Sequence, residues 1–234
     1  MAPHTEPFLG ILMLDTRFPR PPGDIGNALT FSRHGIPTRL HTVVGASPQR
    51  IVRDADPRFL KPFVDAAQSL VQQGAAMITT SCGFLAAYQA VLADAVGVPV
   101  ITSSLLQCRD YVRPGIVTID SAALKSDILA AVHVPVGTPV QGVMPDSEFH
   151  RRILQNDTTL DLDEACANVV QAAKALVDQH PEVAHIILEC TNMPPYRAAV
   201  EQACGRPVHD IETLIVSRWQ ALSRSVGTRE SNSN

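Results

Sequence analysis

The sequence predicts an α/β protein made of two pseudo-symmetric parallel-sheet domains, with the active site in the cleft between them. Three observations predict it. Short apolar runs alternate with amphipathic segments, the alternation restarts near residue 115, and Cys82 and Cys190 stand 108 residues apart at the same point of each round. With 234 residues and 45% hydrophobic side chains, the chain is long enough to bury two such cores.

Taken in order, residues 8–14 (FLGILML) read as a buried strand that ends in Asp15. Pro19, Pro21, Pro22, Gly23 and Gly26 then exclude a helix or a central strand over 16–27. A loop of this length reads equally well as the wall of a site or as a surface crossover. From Pro57 to Gln73, Phe59, Leu60, Phe63, Val64, Ala67, Leu70 and Val71 recur at helical spacing, with Gly74 where a helix stops. Residues 75–79 read as a buried strand, 84–96 as a helix closed by Gly97, and Val98 onward as the next strand.

The second round begins with the strand 115–119 ending in Asp120, followed by the long helix 163–179 and the strand 185–189. A helix entered through Pro194-Pro195 and stopped at Gly205 leads into a strand at 207–211. Gly10 and Asp15 match Gly115 and Asp120 at an offset of 105, and Pro99 matches Pro207 at an offset of 108. In both rounds the proline follows the cysteine by 17 residues. The two halves are therefore assigned to 8–112 and 113–210, and 211–226 reads as a helix that caps one of them. The tail 227–234 lacks apolar anchors and is expected to be disordered.

A net charge of −4 and the lack of any basic run argue against a nucleic-acid partner. No apolar run reaches membrane-spanning length, and the N-terminus shows no export signal, which points to a cytoplasmic protein that does not engage membranes. Five cysteines without CxxC spacing read as free thiols rather than a disulfide framework or a zinc site. No dinucleotide or P-loop motif is present, and the eight histidines are scattered without HExxH spacing. His209, beside Asp210 at a strand end, is the one histidine that could border the cleft.

Ligands of open parallel sheets bind beyond the carboxyl ends of the strands. Those ends carry Asp15-Thr16, Thr79-Thr80-Ser81-Cys82, Asp120-Ser121 and Glu189-Cys190-Thr191-Asn192. A thiol at the start of a helix feels the positive end of its dipole, which can lower the thiol pKa, and the same N–H groups can hold a carboxylate. Two thiols facing each other suit proton transfer at a Cα: one thiolate removes the proton and the opposite thiol returns one to the other face. A buried cysteine is ordinarily just a small hydrophobe, and Cys108, Cys166 and Cys204 are read that way. The repeat reverses that reading for Cys82 and Cys190.

Thr79-Thr80-Ser81-Cys82-Gly83-Phe84 and Glu189-Cys190-Thr191-Asn192-Met193-Pro194-Pro195-Tyr196 resemble the two cysteine motifs of the aspartate/glutamate racemase superfamily, and the likeness covers roughly residues 8–220. That superfamily includes aspartate, glutamate and hydantoin racemases, arylmalonate decarboxylase and maleate isomerase. The resemblance implies a cofactor-independent enzyme for a small carboxylate or amino acid derivative, with no metal, a C-terminal helix that returns to the first domain, and a homodimer. Carried over by position, Cys82 and Cys190 are the catalytic pair. Asp15, Thr16, Thr80, Ser81, Gly83, Ser121, Thr191 and Asn192 are the substrate-binding candidates.

Two departures bear on the substrate. Gly83-Phe84 stands where the first motif usually has Asn-Thr, and Asn192 stands where an acid or histidine usually follows the second motif. Both remove groups that would recognise an amino acid, and Phe84 reads either as a less polar pocket wall or as a core residue. Racemisation or isomerisation is the expected reaction. The alternatives are a same-fold decarboxylase or cis-trans isomerase using one or both thiols, and a noncatalytic carboxylate-binding protein.

Overall fold

The structure, a computed structural model, describes residues 6–231, with side chains described to residue 224. Two four-stranded sheets form, and every strand pair in them is parallel. The first contains β1 (Phe8–Leu14), β2 (Thr38–Val43), β3 (Ala75–Thr80) and β4 (Val100–Ile101), in the order β2-β1-β3-β4. The second contains β5 (Pro114–Thr118), β6 (Val140–Gly142), β7 (His185–Leu188) and β8 (Val208–His209), in the equivalent order β6-β5-β7-β8. The internal repeat is therefore a repeat of topology, and Cys82 and Cys190 follow the same strand, β3 and β7, in each sheet.

All seven residues of β1 are buried because helices cover both of its faces. On one side α2 (Leu60–Gln72) sets Phe63 and Leu70 into a core with Leu12 and Ile78. On the other, Leu9, Ile11 and Met77 meet Ile211, Leu214 and Ile215 of α8 (Ile211–Ser231). The last helix thus returns to the first sheet. It runs continuously to Ser231, through part of the tail expected from 227; residues 232–234 lie outside the described residues.

The paired glycines mark where the covering helix comes closest. A Cβ on Gly10 would stand 2.7 Å from Ile78 Cδ1 and 3.0 Å from Leu70 Cδ1, and one on Gly115 would stand 2.9 Å from Val183 and 3.0 Å from Leu176. Leu176 lies on α6 (Leu162–Gln179), the long helix of the second half, whose N-cap Asp161 accepts from the N–H groups of Asp163 and Glu164. In each half a missing side chain lets the helix settle on the sheet.

The structure differs from the expected elements in several places. β2 is a partly exposed edge strand, so its sequence, TRLHTV, carries no buried run to mark it. β6 and the short helices α1 (Ala28–Ser32), α4 (Ser126–Ala131) and α5 (Glu148–Leu154) also lie in stretches without a clear period. The helix expected from residue 84 starts as a 3-10 turn over Gly83–Tyr88 before α3 (Gln89–Ala95). Likewise a 3-10 turn over Pro194–Tyr196 precedes α7 (Arg197–Cys204), which stops at Gly205 in the left-handed conformation, φ +59°.

Candidate active site

β3 and β7 deliver Cys82 and Cys190 to one cavity. Ser81, Gly83, Thr191, Asn192 and Glu189 line it with them, and Phe18, Val52, Phe84, Ile119 and Ile153 are among its apolar walls. Each cysteine is 7% exposed, and the space between the walls is about 20 Å³, room for about one water. No Lys, Arg or His is among the described residues lining it.

Hydrogen bonds stitch the two halves together around the cavity. The Thr191 hydroxyl donates across to the Ser81 carbonyl at 2.7 Å, while within the first half the Leu14 N–H donates to Ser81 Oγ at 2.8 Å. The Ser104 hydroxyl donates to the Leu188 carbonyl at 2.7 Å. From the proline-rich segment 16–27, the Asp24 carboxylate accepts from Asn192 Nδ2 and from Arg20 Nη1, both at 2.6 Å. Gly23, at φ +104°, brings this loop so close to Pro195 that a Cβ would be 3.1 Å from its backbone. The segment is a wall: Phe18 faces the cavity, and Asp24 holds the residue two beyond Cys190. In turn Asn192 Oδ1 accepts from the Cys190 thiol at 3.5 Å.

Not every sequence-derived candidate reaches the cavity. Asp15 accepts from the Gly45 N–H at 2.9 Å and shapes the turn after β2. Thr16 accepts from Arg20 Nη2 at 2.7 Å and so supports the wall from behind. The Thr80 hydroxyl, fully buried, donates to the Thr102 carbonyl at 2.7 Å and the Cys82 carbonyl at 2.9 Å, which fixes the backbone that presents Cys82. Ser121 lies in a separate groove of the second half with Asp120, Gln141 and His150. His209 is packed in a ring stack, 3.8 Å from Tyr111 centroid to centroid, with Nε2 3.1 Å from His185 Nδ1. That stack accounts for it away from the cleft.

The thiols are shifted in the direction opposite to the expected one. Burial, reinforced by the nearby Glu189 carboxylate, pushes Cys82 up to about 12, and the same two causes raise Cys190 well above an ordinary thiol. The expected N–H donors are present, from Phe84 and Leu85 to Cys82 and from Asn192 to Cys190, and they do lower both values. Desolvation outweighs them because the cavity is nearly closed. Glu189 itself is fully buried and raised to about 7. Sequence reasoning noted Glu189 only as part of a strand end, since nothing in the sequence shows that its side chain turns into the cavity.

Among the described residues, no cluster of three or more His, Cys, Asp or Glu stands close enough to hold a metal ion, and no helix is long and apolar enough to cross a membrane.

Comparison with solved structures then decides the fold. A Gly-to-Cys variant of arylmalonate decarboxylase superposes with a TM-score of 0.61 at 18% identity, over 94% of each chain. Picrophilus torridus aspartate racemase does so with a TM-score of 0.57 at 13% identity, over 95% of each chain. This chain has the racemase/decarboxylase fold. No family model matches it. Among curated proteins, it is similar to a dimethylsulfoniopropionate lyase of Durusdinium sp. clade D, 28% identical over 86% of this chain and 70% of that one. It is also similar to dimethylsulfoniopropionate lyase 3 of Emiliania huxleyi, 28% identical over 93% of this chain but 60% of the longer protein. Its structural neighbours are racemases and a decarboxylase and its sequence relatives are lyases, all of them enzymes.

Proposed function

We propose that this protein is a cofactor-independent enzyme that uses Cys82 and Cys190 as acid and base at the Cα of a small carboxylate. The observation that carries the reading is the meeting of the two repeat-related thiols in one cavity, among small polar groups and apolar walls. One thiolate takes the Cα proton. The electron pair left on carbon spreads into the carboxylate, which hydrogen-bond donors around the cavity stabilise. The opposite thiol protonates the other face, giving racemisation or isomerisation.

Similarity to dimethylsulfoniopropionate lyases favours a second outcome of the same first step. Where the Cβ carries a sulfonium, the carbanion expels it: a Cα=Cβ double bond forms, the Cβ–S bond breaks, and the sulfur leaves with the electron pair as a neutral sulfide. Thiols that serve as acid and base must stay reduced, which fits a cytoplasmic setting.

The test is incubation in D₂O with chiral small carboxylates and, separately, with dimethylsulfoniopropionate. Cα deuterium with loss of optical rotation marks racemisation, and acrylate with dimethyl sulfide marks elimination. Neither exchange nor release from any member of the panel would overturn the reading.

A further inference from the structure

Glu189 is the unexplained group of the cavity. It is fully buried, and one carboxylate oxygen, Oε2, accepts the Thr118 hydroxyl at 2.8 Å. The other, Oε1, is buried without a hydrogen-bond partner. An unpaired buried carboxylate oxygen is costly, and its presence calls for an explanation. Glu189 lines the same cavity as the two thiols without hydrogen-bonding either: its main chain leads directly into Cys190, and its side chain lies against Gly83, directly after Cys82. A Cβ on Gly83 would stand 2.0 Å from Oε1. The first half leaves out a side chain at the one place where the acid of the second half needs room.

We propose that Glu189 is the proton acceptor for the cleft thiols. A thiol passes its proton to Oε1, the S–H bond breaks, an O–H bond forms, and the negative charge moves from oxygen to sulfur without leaving the cavity. The protonated acid returns the proton when the cycle closes. This inference deepens the proposed function, and it supplies a route to thiolate that burial otherwise blocks.

The titration order sets the cost of the transfer, because a proton moves uphill from the thiol to the more weakly basic carboxylate. Glu189, raised to about 7, loses its proton before Cys82, raised to about 12, so the first charge to enter the cavity is the carboxylate. The other groups whose charge couples to the thiols from behind the lining are Arg20 and Asp24 of the 16–27 wall and Tyr196 after β7. Arg20 favours the Cys82 thiolate, Asp24 disfavours the Cys190 thiolate, and burial holds Tyr196 above the range in question. A charge shared by a thiol and a carboxyl titrates as a property of the pair.

The experiment follows alkylation of each cysteine by iodoacetamide against pH, read by peptide mass spectrometry, in the full chain without substrate. It is therefore independent of whichever carboxylate the enzyme turns over. Alkylation of Cys82 or Cys190 should rise to a plateau with a midpoint near pH 7, while the partly exposed Cys166 and Cys204, both raised by burial, should show no step near pH 7 and react only towards more alkaline pH. Glu189→Gln should remove the step and slow alkylation at pH 7.5 at least tenfold, whereas Glu189→Asp, which keeps a carboxyl, should retain a step.

Equal or faster alkylation in Glu189→Gln would overturn the proposal, because a carboxylate that merely repels a thiolate makes the thiol more acidic when it is removed. The proposal fails equally if the unaltered protein shows no step below pH 8, a measurement that needs no variant to fold.

Discussion

Cys82 is preceded by Ser81, whose oxygen is occupied by the Leu14 N–H, and followed by Gly83. Cys190 is preceded by Glu189, whose Oε1 is unpaired, and followed by Thr191, whose hydroxyl reaches across to the Ser81 carbonyl. The strand order, the covering glycine and the cysteine are the same in both halves; the neighbours are not. Repetition brings two equivalent thiols to one cavity, and the departures from it supply the groups around them. One half supplies the only carboxylate among the described residues lining the cavity, and the other supplies the room for it. Two identical halves would have put two acids there, or none.

The largest effect should come from breaking the symmetry of the thiols. Cys82→Ser and Cys190→Ser should each lower racemisation by about 10²–10⁴-fold, the usual weight of one acid or base. Each variant should still exchange the Cα proton of the enantiomer that faces its surviving thiol, with opposite preference in the two, as read by deuterium incorporation. Wild-type racemisation by either variant would refute the two-thiol mechanism.

Gly83→Ala tests the room left for the acid. Its Cβ would overlap Glu189 Oε1, so we expect a loss of about 1–3 kcal/mol from overpacking, measured by denaturant unfolding. The corresponding change in the second half, Thr191→Ala, should cost only about 1 kcal/mol for its lost hydrogen bond. Should both cost the same, the asymmetry has no energetic weight.

The acid also carries a pH signature. Because Glu189 is raised from 4.5 to about 7 in the folded protein, the native state holds a proton that the unfolded chain has lost within that window. Stability should therefore be fully present below pH 4.5, fall as pH rises towards about 7, and level off above. Glu189→Gln should flatten that limb of a melting-temperature profile, and an unchanged limb would assign it to other groups.

Asn192→Leu removes the tie between Cys190's segment and Asp24. With a charged partner left buried, roughly 1.5–3 kcal/mol is expected, and turnover should fall only as the 16–27 wall loosens. Cys108→Ala should show the smallest effect on turnover, close to none, since Cys108 packs on the 3-10 turn before β5 without reaching the cavity.

How far the sequence reaches varies from element to element. FLGILML reads as a central strand because both of its faces are apolar, whereas the edge strand TRLHTV has little burial to mark it. Ser81, Gly83, Thr191 and Asn192 line the cavity with the cysteines because they adjoin them in sequence, and chain neighbours at a strand end travel together. Asp15, Thr16 and Ser121 occupy strand ends as well, but each turns to a local partner or a different groove. Strand-end position specifies where a residue's backbone lies and leaves open where its side chain points.

The sequence by itself determined the parallel α/β class, the twofold repeat and the pair of cysteines that the repeat equates. Periodicity and spacing are properties of the chain order, and the hydrophobic effect acts on them directly. Only the tertiary structure decided that the cavity closes to about the size of one water, that the thiols are raised rather than lowered, and that Glu189 rather than Asp15 is the acid beside them. Those outcomes depend on desolvation and on contacts between residues more than a hundred positions apart. Gly83 against Glu189 is one such contact, and no local pattern encodes it.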